Sequence, residues 1–105
     1  MPRKQLKNLT EPMYYILLIL KTPNHGYGIM QTVEEMTDGH VKIGAGTLYT
    51  LLSRFEKEGI IEALSEEDRK KNYVITKKGK ALVEEEFQRL NRLVKDGQDI
   101  LRGGQ

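Results

Sequence analysis

The chain has no cysteine. That excludes disulfides, thiolate nucleophiles and thiolate metal sites, and it fits a reducing, cytoplasmic setting. No apolar run approaches the ~20 residues a bilayer-spanning helix needs, so no membrane association is expected. The opening residues include Arg3 and Lys4 but no apolar stretch directly after them, so no secretory signal is expected either. Aromatic residues are few, at 7%. Excess charge is small as well: the net value is only +2. A nucleic-acid partner therefore has to be argued from where the charge lies, not from its total. With 105 residues the chain has room for one domain with a modest core.

What is present is organised as helices and one hairpin. Arg3, Lys4 and Lys7 form a basic N-terminal arm. Thr10 is a good N-cap, and Pro12 suits a first helical turn, where its missing N–H costs little. The helix from Met13 to about Lys21 is apolar on nearly every side. Met13, Ile16, Leu17 and Leu20 share one face, and Tyr14, Tyr15, Leu18 and Ile19 cover most of the rest. A helix apolar all round must be buried all round. One face has the domain core to cover it, so the other is expected to meet a second chain. Residues 22–26 break the helix with turn-forming types. A second helix is expected over Tyr27 to Thr37, with Ile29, Met30, Val33 and Met36 as its apolar stripe and Gly39 in a left-handed C-cap. Residues 40–45 are expected to form an extended link.

The third helix, Gly46 to Glu58, carries the strongest functional signal. Leu48, Leu51, Leu52 and Phe55 recur at helical spacing and make its core face. Gly46, Thr50, Ser53 and Lys57 project roughly opposite, flanked by Thr47, Tyr49 and Arg54. Two helices joined by a short link, the second with a small and basic outer face, form a helix-turn-helix. Small outer residues allow such a helix to sink into a major groove about 12 Å wide. Thr50 and Ser53 are suited to base edges or phosphates, and Arg54 and Lys57 to phosphates that set register. Two β-type stretches follow, Ile60 to Ser65 and Asn72 to Thr76. The turn between them holds Arg69, Lys70 and Lys71, which make a basic wing. Glu66, Glu67 and Asp68 are expected to point away from DNA.

Thr76 caps a final helix over Lys77 to Leu101. Val83, Phe87, Leu90, Val94, Gly97 and Leu101 step by four and three, the seam spacing of a coiled coil, and Leu93 and Ile100 widen the stripe. At ~1.5 Å per residue the helix is about 37 Å long, more than the rest of the domain can cover. A homodimer interface is the simplest account, built from Tyr14, Tyr15, Leu18, Val83, Phe87, Leu90, Val94 and Leu101. The fold class is thus mainly α with a small β-hairpin. Residues 1–76 form a winged helix-turn-helix domain with its basic arm, 77–102 a dimerisation helix and 103–105 a tail.

The whole chain resembles the PadR family of bacterial transcription regulators. The resemblance rests on Leu9 to Leu18, His25 to Ile29, Gly46 to Leu52, Phe55 to Ile61, and Arg69 to Thr76 with Gly79. It implies a homodimeric winged-helix repressor that binds palindromic operators in double-stranded DNA, often releasing them on meeting a small-molecule effector. It places Tyr49 on the recognition helix and Arg69 to Lys71 in the wing, and the length is similar to that of the short subfamily with one C-terminal helix. The chain departs from the family in one respect. Some members of this size hold flat aromatic compounds with a tryptophan of the last helix, and this chain has no tryptophan. Phe87, Tyr14 and Tyr15 are the available substitutes.

Other readings are weaker. His25 and His40 lack partners at metal-ligand spacing, so turn or surface roles are expected and no metal or cofactor is. Tyr14 and Tyr15 read as packing, and Glu84, Glu85 and Glu86 as a solvated face near a helix start. No nucleophile–base pair or phosphate loop supports an enzyme. The alternative class, a winged helix that meets protein, calls for an apolar or acidic outer face on residues 46–57. An effector is expected to act at a hinge near Thr76 to Gly79.

Overall fold

A computed structural model describes residues 8–64 and 70–103. The basic arm at Arg3, Lys4 and Lys7, and the turn residues Ser65 to Arg69, lie outside the described residues. Four helices and three short strands follow in the order α1 Glu11–Ile19, β1 Asn24–His25, α2 Gly26–Met36, α3 Ala45–Lys57, β2 Ile61–Ala63, β3 Asn72–Ile75 and α4 Lys77–Leu101. The strands form one antiparallel sheet in the order β1-β3-β2.

Local chemistry sets the helix ends. The Thr10 hydroxyl accepts the Met13 N–H at 3.4 Å and opens α1. Its Met13, Ile16 and Leu17 are buried, Tyr14, Tyr15 and Ile19 are half-buried, and Leu18 is exposed. The domain core thus covers one face of α1 fully, Tyr14, Tyr15 and Ile19 pack partly against it, and Leu18 is the apolar residue of α1 left exposed. Gly39 takes a φ of +78° after α2, the left-handed conformation expected there. Of the expected α2 stripe, Ile29 and Val33 are buried and Met30 half-buried, but Met36 is exposed. The half-buried Thr37 ends the helix: its hydroxyl donates to the Val33 carbonyl at 2.8 Å and accepts the Val41 N–H at 3.0 Å. That bond turns the link inward, so Val41 and Ile43 are buried.

The core gathers these residues with Leu48, Leu52 and Phe55 of α3, and with Ile60, Ile61, Tyr73 and Ile75 of the hairpin. Pairing runs Ile61 opposite Ile75 and Ala63 opposite Tyr73. Period-two alternation therefore buries Tyr73 and Ile75 on the core side of β3. Strand β1 joins the far edge of β3, with Asn24 opposite Tyr73 and His25 opposite Asn72. The sequence places only a turn at these residues. The pairing is carried by backbone groups and leaves no trace in side-chain periodicity.

The junction into α4, where a hinge is expected, is held by several hydrogen bonds. The Thr76 hydroxyl lies 2.7 Å from the Gly59 carbonyl and 2.9 Å from the Ile60 carbonyl, and accepts the Gly79 N–H at 3.2 Å. Lys78 donates to the Glu58 carbonyl at 2.8 Å, closing off the end of α3. Gly79 packs so closely on Ile60 that a Cβ would collide with the Ile60 carbonyl oxygen. These contacts tie the first turn of α4 to the end of α3 and to Ile60.

A second tie lies two turns on. The Glu86 side chain is 3% exposed and paired with Arg89 through bonds of 2.6 and 3.0 Å. Its carboxyl also accepts the Leu9 backbone N–H. These contacts hold it below the usual carboxylate range: the Arg89 hydrogen bond lowers its pKa most, burial opposes that, and the Arg89 charge and the Leu9 bond reinforce the lowering. Glu84 and Glu85 are exposed as expected, but Glu86 is not part of a solvated face. It fastens α4 to the start of the domain. Beyond Leu90 the helix projects with nearly every side chain exposed.

Candidate nucleic-acid interface

Helix α3 presents two chemically distinct faces. Leu48, Leu52 and Phe55 are buried, and Leu51 is half-buried at the edge of the core. Thr47, Tyr49, Thr50, Ser53, Arg54 and Lys57 are all exposed. Tyr49, Thr50, Ser53, Arg54 and Lys57 line a shallow hollow along the outer face. The expected residues of this face thus lie side by side, and no acid is among those that line the hollow. Its basic members differ in availability. Arg54 is engaged by Glu58 one turn on, at 3.1 Å. Lys57 has no ion pair among the described residues, so its ammonium is the free cation of this face.

Tyr49 is 51% exposed but does not point straight outward. Its ring leans on the first residue of α2, with the hydroxyl and Cζ where a Cβ on Gly26 would stand; Cζ would lie 2.7 Å away. A glycine at 26 is what lets the ring lie there.

The wing root is built around Tyr73. Lys71 reaches Glu56 of α3 at 3.7 Å and stacks its ammonium 5.7 Å above the centre of the Tyr73 ring. Burial raises the Tyr73 phenol above its ordinary pKa; Lys71 partly offsets this, and Glu56 and Tyr49 add to it. Of the expected basic wing, Lys71 is therefore turned back onto α3. Lys70 is exposed with no ion pair among the described residues, and Arg69 lies outside them.

His25 has a local role that the sequence reading left open. Its Nδ1 accepts the Gly28 N–H at 3.2 Å and caps α2. His40 Nδ1 sits 3.0 Å from the Thr37 carbonyl. Among the described residues no three His, Asp or Glu side chains gather as metal ligands, and no helix is long and apolar enough to cross a membrane.

The expected dimer residues lie on α1 and α4, away from the outer-face hollow of α3, with which they share no lining residue. Tyr14 and Tyr15 meet edge to face with ring centres 6.3 Å apart. Burial raises the Tyr14 phenol pKa, with the Glu86 and Glu84 charges reinforcing it. A hollow of about 370 Å³ lies between α1 and α4, lined by apolar residues that include Tyr14, Leu18, Val83 and Phe87 and by the charged Lys21, Lys80 and Glu84. From there the apolar stripe runs out along α4. Val83 and Leu90 are half-buried, whereas Phe87, Val94 and Leu101 are exposed. Leu93 and Ile100 are exposed too, so the stripe is as wide as the spacing implied.

Comparison with known proteins decides the family. The model of the transcriptional regulator PadR-like family matches residues 16–85, from α1 into α4. The chain belongs to the PadR-like family. That family is one of transcriptional regulators, not of enzymes. Solved structures of transcriptional regulators, PadR-like ones among them, share the fold. A transcriptional regulator from Clostridium thermocellum is 26% identical, with a TM-score of 0.74 over 84% of this chain and 90% of that one. A PadR-like regulator from Bacillus cereus is 27% identical, with a TM-score of 0.71 over 84% and 88%. Among curated relatives, an uncharacterized 37.1 kDa protein in transposon TN4556 from Streptomyces fradiae is 32% identical over 81 residues. Those residues are 77% of this chain and 23% of that protein. Protein X from Lysinibacillus sphaericus, also uncharacterized, is 38% identical over 72 residues, 65% of this chain and 66% of its own. The chain therefore spans about a quarter and two thirds of these two relatives.

Proposed function

We propose that this PadR-like chain is a cytoplasmic, homodimeric repressor that reads a palindromic operator in double-stranded DNA. The outer face of α3 carries the reading. Thr50, Ser53 and Lys57 are exposed on one small, basic surface, with the hydrophobic half of the same helix locked in the core. Thr50 and Ser53 face base edges or phosphates, and Thr47 and Tyr49 border them. Lys57 and Lys70 neutralise phosphates, joined by Arg69 of the wing. Arg54 stays tied to Glu58, so its part is to shape the face.

The dimer in this account is built on α4. Phe87, Val94, Leu101 and the half-buried Val83 and Leu90 face a partner's equivalent surface, with Tyr14, Tyr15 and Leu18 of α1 completing the patch. Two copies of α3 then meet successive major grooves, about 34 Å apart. Because the α3–α4 junction is pinned, a small-molecule effector would release DNA by changing the angle between protomers, not by bending α4 at Thr76.

A gel-shift of the purified chain against the DNA upstream of its own gene tests the reading. A band that survives unrelated competitor and weakens steeply with salt is expected. A chain that retains no duplex at any salt concentration, while capturing a protein, would replace it with a winged helix that binds protein.

A further inference from the structure

The hollow between the start of α2 and the root of the wing brings His25 and Tyr27, which have no role in the reading above, beside Tyr49 and Lys70, which do. It measures about 310 Å³ and is lined by His25, Tyr27, Tyr49, Lys70, Lys71 and Tyr73. The β1–β3 pairing creates it. With His25 opposite Asn72, the first turn of α2 is brought beside the wing two residues from Lys70.

Its chemistry is one-sided. Among the described residues the lining offers three phenols, two ammonium groups and an imidazole, and no carboxylate. The imidazole is oriented by its cap. Because Nδ1 accepts the Gly28 N–H, it carries no proton, so Nε2 bears the hydrogen and is a donor. Lys71 is held by Glu56 and Tyr73, which leaves Lys70 as the charge with no ion pair among the described residues. Tyr27 is 61% exposed, a large ring that the core does not use. The hollow also shares Tyr49 with the outer face of α3, so one surface runs from Lys57 across Tyr49 to Tyr27.

We propose that this hollow seats a backbone phosphate of the duplex at the edge of the groove that α3 enters. The His25 Nε2–H and the Tyr27 hydroxyl donate to its oxygens and Lys70 supplies the charge. The proposal rests on the DNA-binding reading and adds His25 and Tyr27 to it. Contacts of this kind fix register and are indifferent to sequence. They therefore show on any duplex, not only on an operator.

The test measures the affinity of the full chain for a labelled mixed-sequence duplex of roughly thirty base pairs at low salt, where phosphate contacts dominate binding. His25→Asn keeps a preferred N-cap residue but is too short to present the Nε2 donor. Tyr27→Phe removes only an exposed hydroxyl. Each variant is expected to bind roughly three- to tenfold more weakly, the factor one neutral hydrogen bond carries. Because each removes a neutral group, the salt slope should stay as in the unmodified chain, whereas Lys70→Ala should lower it by about one. Unchanged affinity in both neutral variants, with Lys57→Ala still weakened, overturns the phosphate seat and leaves the role of α3 standing. Absence of binding by the unmodified chain overturns both. Shifts of the His25 ring signals on adding inorganic phosphate, with duplex affinity unaltered in the variants, would place a free anion there and also overturn the proposal.

Discussion

The Tyr49 hydroxyl occupies the space in which a side chain on Gly26 would begin. This contact joins α3 to the first residue of α2. Gly26→Ala puts a methyl group into the phenol. The ring is the free end of a side chain and can swing away, so the fold should survive. We expect the melting temperature to fall by no more than a few degrees, in line with a repacking cost of about 1 kcal/mol in a domain of this size. Duplex affinity should fall much more clearly. Equal affinity in the variant would mean that the position of Tyr49 does not matter for binding.

The Glu86–Arg89 pair and the Leu9 N–H give a dependence on pH with a definite sign. The Glu86 carboxyl is lowered in the folded chain. Its contribution is therefore complete above the unfolded carboxylate value of about 4.3, and is lost as pH falls through the lower folded value. Glu86→Gln should cost on the order of 1–2 kcal/mol at neutral pH. The difference between the two proteins should shrink below about pH 4. Denaturant melts at pH 7 and pH 3.5 provide the check; the same difference at both would count against the pair.

Gly79→Ala should be the more damaging of the two glycine substitutions. The new methyl meets the backbone oxygen of Ile60 and, at 2.6 Å, Cγ1 of buried Ile75. Neither is the free end of a flexible side chain. A loss of about 1–3 kcal/mol is expected by thermal or denaturant unfolding. A variant as stable as the parent would show that α4 can lift from the domain at little cost, restoring the hinge.

The contrast between these sites shows what was legible in the sequence. Leu48, Leu52 and Phe55 advertise the buried face of α3, and the bounds of α4 emerge directly from Thr76 and the apolar stripe. Both signals are local, carried by spacing along one element. What the sequence hid depends on partners distant in the chain or on backbone groups. Strand β1 is two polar residues paired through the main chain. Glu86 sits in a run of three acids that differ only in which face of α4 they occupy. Lys71 looks like its neighbours until Glu56 is brought beside it. The seam of α4 was readable, but a single chain does not contain what would cover it.

Dimerisation through that seam is open to a single substitution. Val94 is 57% exposed in the isolated protomer, so Val94→Asp should leave the domain folded. In the proposed dimer it would bury an unpaired charge. Sedimentation at micromolar concentration should show a dimer for the parent and a monomer for the variant. A variant still dimeric would move the interface elsewhere.

The most direct test of the account is hydroxyl-radical footprinting of the dimer on its operator. Two α3 helices held by one α4 pair should protect two patches related by a two-fold axis, centred about 10–10.5 base pairs apart or slightly more. A single patch, or two with no symmetry between them, would contradict the arrangement.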